Sequence, residues 1–224
     1  MIDIGRLVDD IDRRVHRASS ATTEELRAVR RAVSRELRRS EPRIVLALAD
    51  HLVARDGPFD RFFGYEILTS HRPAMQSLRA SDLRRLGAGM DSWGDVDTFA
   101  CYVAGPAWRE HQVADSEIAR WSRAKDRWWR RAAVVSTVPL NSRARGGTGD
   151  AARTLALCRL VLEDRDPMVV KALSWALREL AKRSPADVER FLDEQEARLP
   201  ALVRREVRSK LRTGLKSPRR RASA

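Results

Sequence analysis

Apolar residues along this chain recur three and four positions apart and almost never alternate, which is the period of helices rather than strands. Leu26, Val29, Val33 and Leu37 form one such stripe, and Thr22 with Glu25 ahead of it has the spacing of a capping box. Arg27, Arg30, Arg31, Arg35 and Arg38 take the other faces of that segment. Ser40 and Pro42 open a helix over IVLALADHLVA, Pro58 opens the next, and Ser81-Asp82 starts a short one ending near Gly87. Further helices are expected from Ser92 to Ala104, stopped by Gly105-Pro106, from Asp115 to Arg123 and from Asp126 to Val138. The segment NSRARGGTGD, Asn141 to Asp150, reads as a polar Gly-rich loop. Helices resume over Ala151 to Leu162, Pro167 to Lys182, Pro185 to Leu199 and Leu202 to Leu211, and LKSPRRRASA reads as a disordered basic tail.

Short amphipathic helices joined by tight polar turns stack in pairs into a curved solenoid, one helix of each pair lining the concave side. The expected fold is therefore all-α: a helical-repeat solenoid occupying residues 1–213 as one domain with a basic concave face, followed by a tail over 214–224. The repeats show no clean period, so a compact helical bundle fits the same pattern.

Composition adds a partner. Of 224 residues, 44 are Lys or Arg and 31 Asp or Glu, a formal charge of +13, and the cations are overwhelmingly Arg. That balance favours a polyanion, nucleic acid or an anionic membrane surface. With 43% hydrophobic residues a folded core is feasible. No apolar run is long enough to span a bilayer. Cys101 and Cys158 lack disulfide-like spacing, and with no signal peptide this points to a reducing cytosol. His16, His51, His71 and His111 are scattered, so no metal site is expected. GGTG at Gly146 to Gly149 fits neither a phosphate-binding loop nor a dinucleotide fingerprint, and no cofactor is expected.

Three segments carry side chains that a plain helical stripe does not explain. In DPMVVKALSWALRELAKR, Val169, Leu173, Ala176, Leu177 and Leu180 face the core, while Trp175 lies opposite, framed by Lys171, Arg178 and Lys182. An aromatic among cations suits a phosphate backbone beside a sugar or base; packing against a neighbouring repeat is the alternative. In SWGDVDTFACYVAG the core positions are Val96, Phe99, Ala100 and Val103, and Trp93, Asp97, Cys101 and Ala104 form a flanking stripe. No cation neighbours Asp97 along the helix, and the small residues after it leave space above the carboxylate. It keeps its charge there only if a cation arrives, from another helix or from a ligand. In DRWWRRAAVVST, Trp128 reads as core, Trp129 and Arg130 point elsewhere, and Arg131 borders the apolar face, suited equally to a salt bridge or a phosphate.

Taken in order, SWGDVD, WWRRAA and KALSWALRELAK resemble the three motif segments of the AlkD-like DNA alkylation repair glycosylases, over roughly Pro58 to Leu211. That resemblance implies a HEAT-like α-solenoid and a hydrolase that releases cationic N3- or N7-alkylated purines from duplex DNA. It implies that Asp97 is the catalytic carboxylate and Trp93 an aromatic contact. Arg131 would contact the DNA backbone and organise the site, Trp175 would lie against the deoxyribose backbone, and Arg178 would be a further DNA contact. Lys171, Lys182 and Arg130 join the basic frame, and Arg143 or Arg145 stands in for a basic residue the family often has after its second segment, where this chain has Pro139-Leu140. The stretch from Arg13 to Arg39 is Arg-rich and lacks the family's aromatics, so no contact transfers to it. The partner implied is alkylated double-stranded DNA, bound by a monomer in the cytoplasm, at the nucleoid when on DNA. Non-catalytic HEAT-like solenoids that bind DNA or RNA, or act as protein scaffolds, are the competing classes.

Overall fold

In a computed structural model, which describes residues 3–17, 22–55 and 60–217, the Thr22 hydroxyl accepts the Glu25 N–H at 3.3 Å while the Glu25 carboxylate accepts the Thr22 N–H at 3.1 Å. The capping box read from the sequence thus starts a helix as expected. The described residues are helical with no strand among them, a helical-repeat architecture. They divide into two compact units, residues 1–89 and 90–224. The helix start expected at Pro58 and the last seven positions of the basic tail lie outside the described residues.

The first unit holds α1 (Ile4–Arg17), α2 (Thr23–Glu36), α3 (Pro42–Val53), α4 (Asp60–Ser70), α5 (Arg72–Ser77) and α6 (Ala80–Leu86). Val8 and Ile11 of α1, Leu26 and Val33 of α2, and Val45, Leu48 and Leu52 of α3 close its core with Phe63, Ile67 and Leu68 of α4. Each such side chain contributes about 2 kcal/mol on leaving water. Neither α1 nor α5 is predicted above: α5, six residues long, is too short to show a stripe, while α1 does carry one in Ile4, Leu7, Val8, Ile11 and Val15.

The second unit begins with α7 (Trp93–Thr98), passes through a π-helical segment (Phe99–Ala104) into α8 (Gly105–Arg109), and continues with α9 (Asp115–Trp121), α10 (Arg127–Val135), α11 (Val138–Asn141), α12 (Ala151–Leu160), α13 (Pro167–Leu180), α14 (Pro185–Glu194) and α15 (Ala201–Thr213). Its centre is α13, packed on α10 and α15, with Val169, Leu173, Ala176, Leu177 and Leu180 all buried as the stripe predicts.

Gly105-Pro106 does not stop the helix as expected. The chain stays helical from Trp93 to Arg109. Pro106 lacks an N–H and would clash with a carbonyl four residues back in an ordinary α-helix. The π segment widens the turn just ahead of it, and the Gly105 N–H reaches back five residues to the Ala100 carbonyl. A side chain at 105 would stand 2.7 Å from the Ala100 and Ser136 carbonyl oxygens and from the Pro139 ring, so only glycine fits this contact with α10 and α11. Cys101 and Ala104, expected on the flanking stripe, are buried in consequence.

Candidate active site

Asp97 is placed by a short helix with a firm start. The Ser92 hydroxyl accepts the Asp95 N–H at 3.2 Å and donates to the Asp95 carboxylate at 2.8 Å, setting the phase of α7. Val96 then turns inward with 0% exposure, Asp97 lies at the edge of the buried face, and Trp93, one turn earlier, is 62% exposed. Arg131 crosses from α10 to meet the acid: its Nε and one terminal nitrogen donate to the two carboxylate oxygens at 2.9 and 2.8 Å. Its other terminal nitrogen donates to the Met168 carbonyl at 2.6 Å, in the first turn of α13. Three helical segments therefore converge on one guanidinium. Asp97 is not the unpartnered acid that its own helix suggests; of the open readings for both residues, the salt bridge from another helix is the one found. A single-helix projection could not show it, because the partner is 34 positions away.

A second cation comes near the carboxylate, from the Gly-rich loop. Arg143–Arg145 form a 3₁₀ turn, preceded by Ser142, that ends at Gly146 in the left-handed region, φ 79°. Arg145 lies over the Tyr102 ring, guanidinium carbon 5.3 Å from its centre, beside the Cys101 thiol, and acts electrostatically on Asp97. Far from being loose, the loop is strapped to its neighbours. Arg109 donates to the Arg145 carbonyl, Arg183 to the Asn141 and Gly147 carbonyls at 3.0 and 2.7 Å, and the buried Asn141 side chain reaches Thr154, the Thr137 carbonyl and the Asp150 N–H.

Burial pushes the Asp97 carboxyl above the ordinary carboxylate range, opposed by the hydrogen bonds and charge of Arg131 and then by the charge of Arg145. The two arginines keep a desolvated carboxylate ionisable. Burial also pushes the Cys101 thiol up to about 12, so it is a neutral thiol near pH 7 and no nucleophile.

Residues 17–211 match the family model described as DNA alkylation repair enzyme. The chain belongs to that DNA alkylation repair enzyme family. No curated protein and no solved structure matches it significantly. Membership places the chain among DNA repair enzymes and implies interaction with DNA.

The other family-motif residues are distributed less simply than the sequence suggests. Trp175 is half-buried and packs against the core cluster of the second unit, so it is not turned wholly away from the core. Most of the cations expected to frame it serve acids: Arg178 donates to the buried Ser174 hydroxyl at 3.2 Å and lies 3.7 Å from Glu206, and Lys182 pairs with Glu179 at 2.7 Å. Burial pulls the Arg178 guanidinium below its usual range, against the charges of Glu206 and Glu179. Lys171 is exposed. Arg130 is half-buried and holds Asp164 at 2.6 Å with the Ala124 and Lys125 carbonyls at 3.0 and 2.7 Å, which is a structural brace rather than an open cation. Arg143 is exposed on the 3₁₀ turn.

The two tryptophans of WWRRAA are both partly buried, so Trp128 is not the core residue its stripe suggests. Trp129 packs against Trp121 with ring centres 4.9 Å apart and meets the Phe99 edge at 6.1 Å. Trp128 is half-exposed under the Arg127 guanidinium, at 4.8 Å. The rings of Phe99 and Trp121 lie beside the face that an isolated wheel of α10 left polar. Tyr102, Asn141, Arg109 and Arg183 were not singled out from the sequence. Tyr102 looks like one apolar residue among several until the π segment turns it outward, and the three others act on backbone carbonyls, which carry no residue signature.

Proposed function

We propose that this chain is a monofunctional DNA glycosylase that hydrolyses the N-glycosidic bond of cationic N3- or N7-alkylated purines in duplex DNA. The observation that carries this reading is a carboxylate, 19% exposed, gripped through both oxygens by a guanidinium only 8% exposed, one helical turn from a tryptophan open to solvent. A surface ion pair needs no such support; a carboxylate that must stay ionised and fixed while a positive charge develops beside it does.

Alkylation makes the purine a cation and a good leaving group, so no general acid is required. As the C1′–N9 bond breaks, its electron pair goes to the base and cancels the charge there, while positive charge develops on the sugar. Asp97 faces that charge and orients the water that attacks C1′ and yields its proton to solvent. Arg131 has every nitrogen committed within the protein, so its part is to hold Asp97 rather than to reach for DNA. Trp93 and the open side of Trp175 supply faces for the deoxyribose, and Lys171, Arg143 and Arg145 are the cations placed for phosphates. The protein acts as a monomer on chromosomal DNA in the cytoplasm.

The test is release of 7-methylguanine or 3-methyladenine from methylated duplex DNA by the unmodified protein and by Asp97→Asn. Release by the first and loss in the second, with DNA binding kept, supports the reading. No release by the unmodified protein, with DNA binding that falls steeply with salt, replaces it with a non-catalytic DNA-binding solenoid.

A further inference from the structure

Arg145 differs from most of the cations of the second unit in what it touches. Arg130, Arg131, Arg153, Arg178 and Lys182 each meet a carboxylate. Among the described residues no carboxylate pairs with Arg145; its contacts are a tyrosine face and a thiol, and its Nε is buried with no hydrogen-bond partner. A guanidinium has five N–H donors in a planar fork, and a ring face and a thiol satisfy them poorly. The side chain is nevertheless held in one place. Its own backbone carbonyl is gripped by Arg109, the turn that carries it closes at Gly146, and Tyr102 lies beneath it, 49% exposed and rooted in the π segment.

The charge of the site agrees. Asp97 and Arg131 cancel, and Arg145 leaves an excess of one positive charge beside the place where a cationic base would be bound. That excess would repel the substrate unless an anion arrives with it. The anion that accompanies every nucleotide in DNA is the backbone phosphodiester, whose two free oxygens match the fork of a guanidinium.

We propose that Arg145 and Tyr102 form a phosphate-binding pair at the rim of the site, in which the exposed Tyr102 ring holds the Arg145 fork ready for one backbone phosphodiester next to the nucleotide that faces Asp97. Tyr102 is then a positioning residue: it lowers the cost of ordering a long cation and touches the phosphate only through Arg145. The proposal rests on the reading of the Asp97 edge as the DNA-facing side. It adds a residue that belongs to none of the three motif segments.

The experiment is a double-mutant cycle on unmodified duplex oligonucleotide, with binding followed by fluorescence anisotropy across a KCl series and thermal melting confirming that each variant is folded. Arg145→Met should lower the slope of log affinity against log salt by about 0.9, one phosphate contact, and Arg145→Lys should keep that slope with weaker binding. Tyr102→Ala should weaken binding about threefold with the slope retained, and Tyr102→Phe should restore it, since the ring and not the hydroxyl supports the cation. The double variant Tyr102→Ala/Arg145→Met should bind no worse than Arg145→Met alone. An unchanged slope in Arg145→Met overturns the proposal, and so does a Tyr102→Ala loss that adds in full to that of Arg145→Met. None of these readings requires base release: a catalytically silent protein that shows the cycle keeps the phosphate pair and loses the glycosylase assignment, whereas full base release with an unchanged slope does the reverse.

Discussion

Arg130 and Arg131 are neighbours in sequence, sit on the same helix, and each holds an acid 34 positions away. One residue of helical phase, about 100°, separates their tasks. Arg130 points to Asp164 and to two carbonyls in the turn ahead of its own helix, so everything it touches is scaffold. Arg131 points to Asp97, whose far side is partly open beside Trp93, and to the carbonyl of Met168. The two ion pairs have similar lengths, so distance alone does not mark the functional one. What marks it is the acid's surroundings: Asp97 lies between a buried cation and solvent, on a segment with a π turn and two exposed aromatic residues, Trp93 and Tyr102.

That contrast sets the predictions. The largest effect belongs to Asp97→Asn, which removes the negative charge and keeps the shape: base release should fall by at least about a hundredfold, the size of losing one well-placed electrostatic contact, measured as single-turnover release from methylated duplex DNA. Retained release would assign the chemistry to another group. Next is Arg131→Met, which strands a desolvated carboxylate. It should cost about 3 kcal/mol of unfolding free energy in urea titration. It should also shift the pH profile. Burial already raises the Asp97 pKa, and Arg131 is the chief influence opposing it, so its loss raises the pKa further and moves the acid limb of base release to higher pH. An acid limb that stays in place would show that Asp97 ionisation does not govern the rate.

Arg130→Met should separate fold from chemistry. It removes a charged brace and should cost about 2 kcal/mol, yet leave base release per folded molecule unchanged at saturating DNA. A selective fall in the rate would erase the distinction between the two arginines. The smallest effect is that of Lys171→Ala, an exposed cation on α13, which should lower the salt slope of DNA binding by about 0.9 without altering the melting temperature.

The raised pKa has a thermodynamic side. Asp97 binds its proton more tightly in the folded chain than in the unfolded one, so across the interval between the two pKa values stability falls as pH rises. An ionised Asp97 is therefore maintained at some cost to the fold, as expected of an acid retained for chemistry rather than for packing.

Much of the fold was legible from periodicity and caps. Thr22 with Glu25 and the Val169 to Leu180 stripe act as their patterns predict, because each is a local relation of three to eleven residues. The motif residues were named by resemblance to a family, through three short segments. What they do in the free protein could not be read, because it depends on partners contributed by other helices. Asp97 looked unpaired since Arg131 lies on another helix, Trp129 was read as pointing elsewhere since Phe99 and Trp121, which it packs against, lie outside α10, and the straps of the loop from Asn141 to Asp150 went unread since most grip backbone oxygens. The reading of Gly105-Pro106 as a stop failed for another reason: a π turn removes the clash that makes proline a terminator.

That π turn also puts the two ends of one rod out of register. An α-helix advances about 100° per residue, so deleting a single residue between Phe99 and Ala104 and restoring regular winding would swing Asp97 through roughly a quarter of a circle relative to Gly105. Gly105 is keyed against α10 and α11 by its lack of a side chain, so it is the acid that would turn, carrying its carboxylate off the axis of Arg131. The extra residue in that turn acts as a vernier between the part of the helix that must fit the scaffold and the part that must aim.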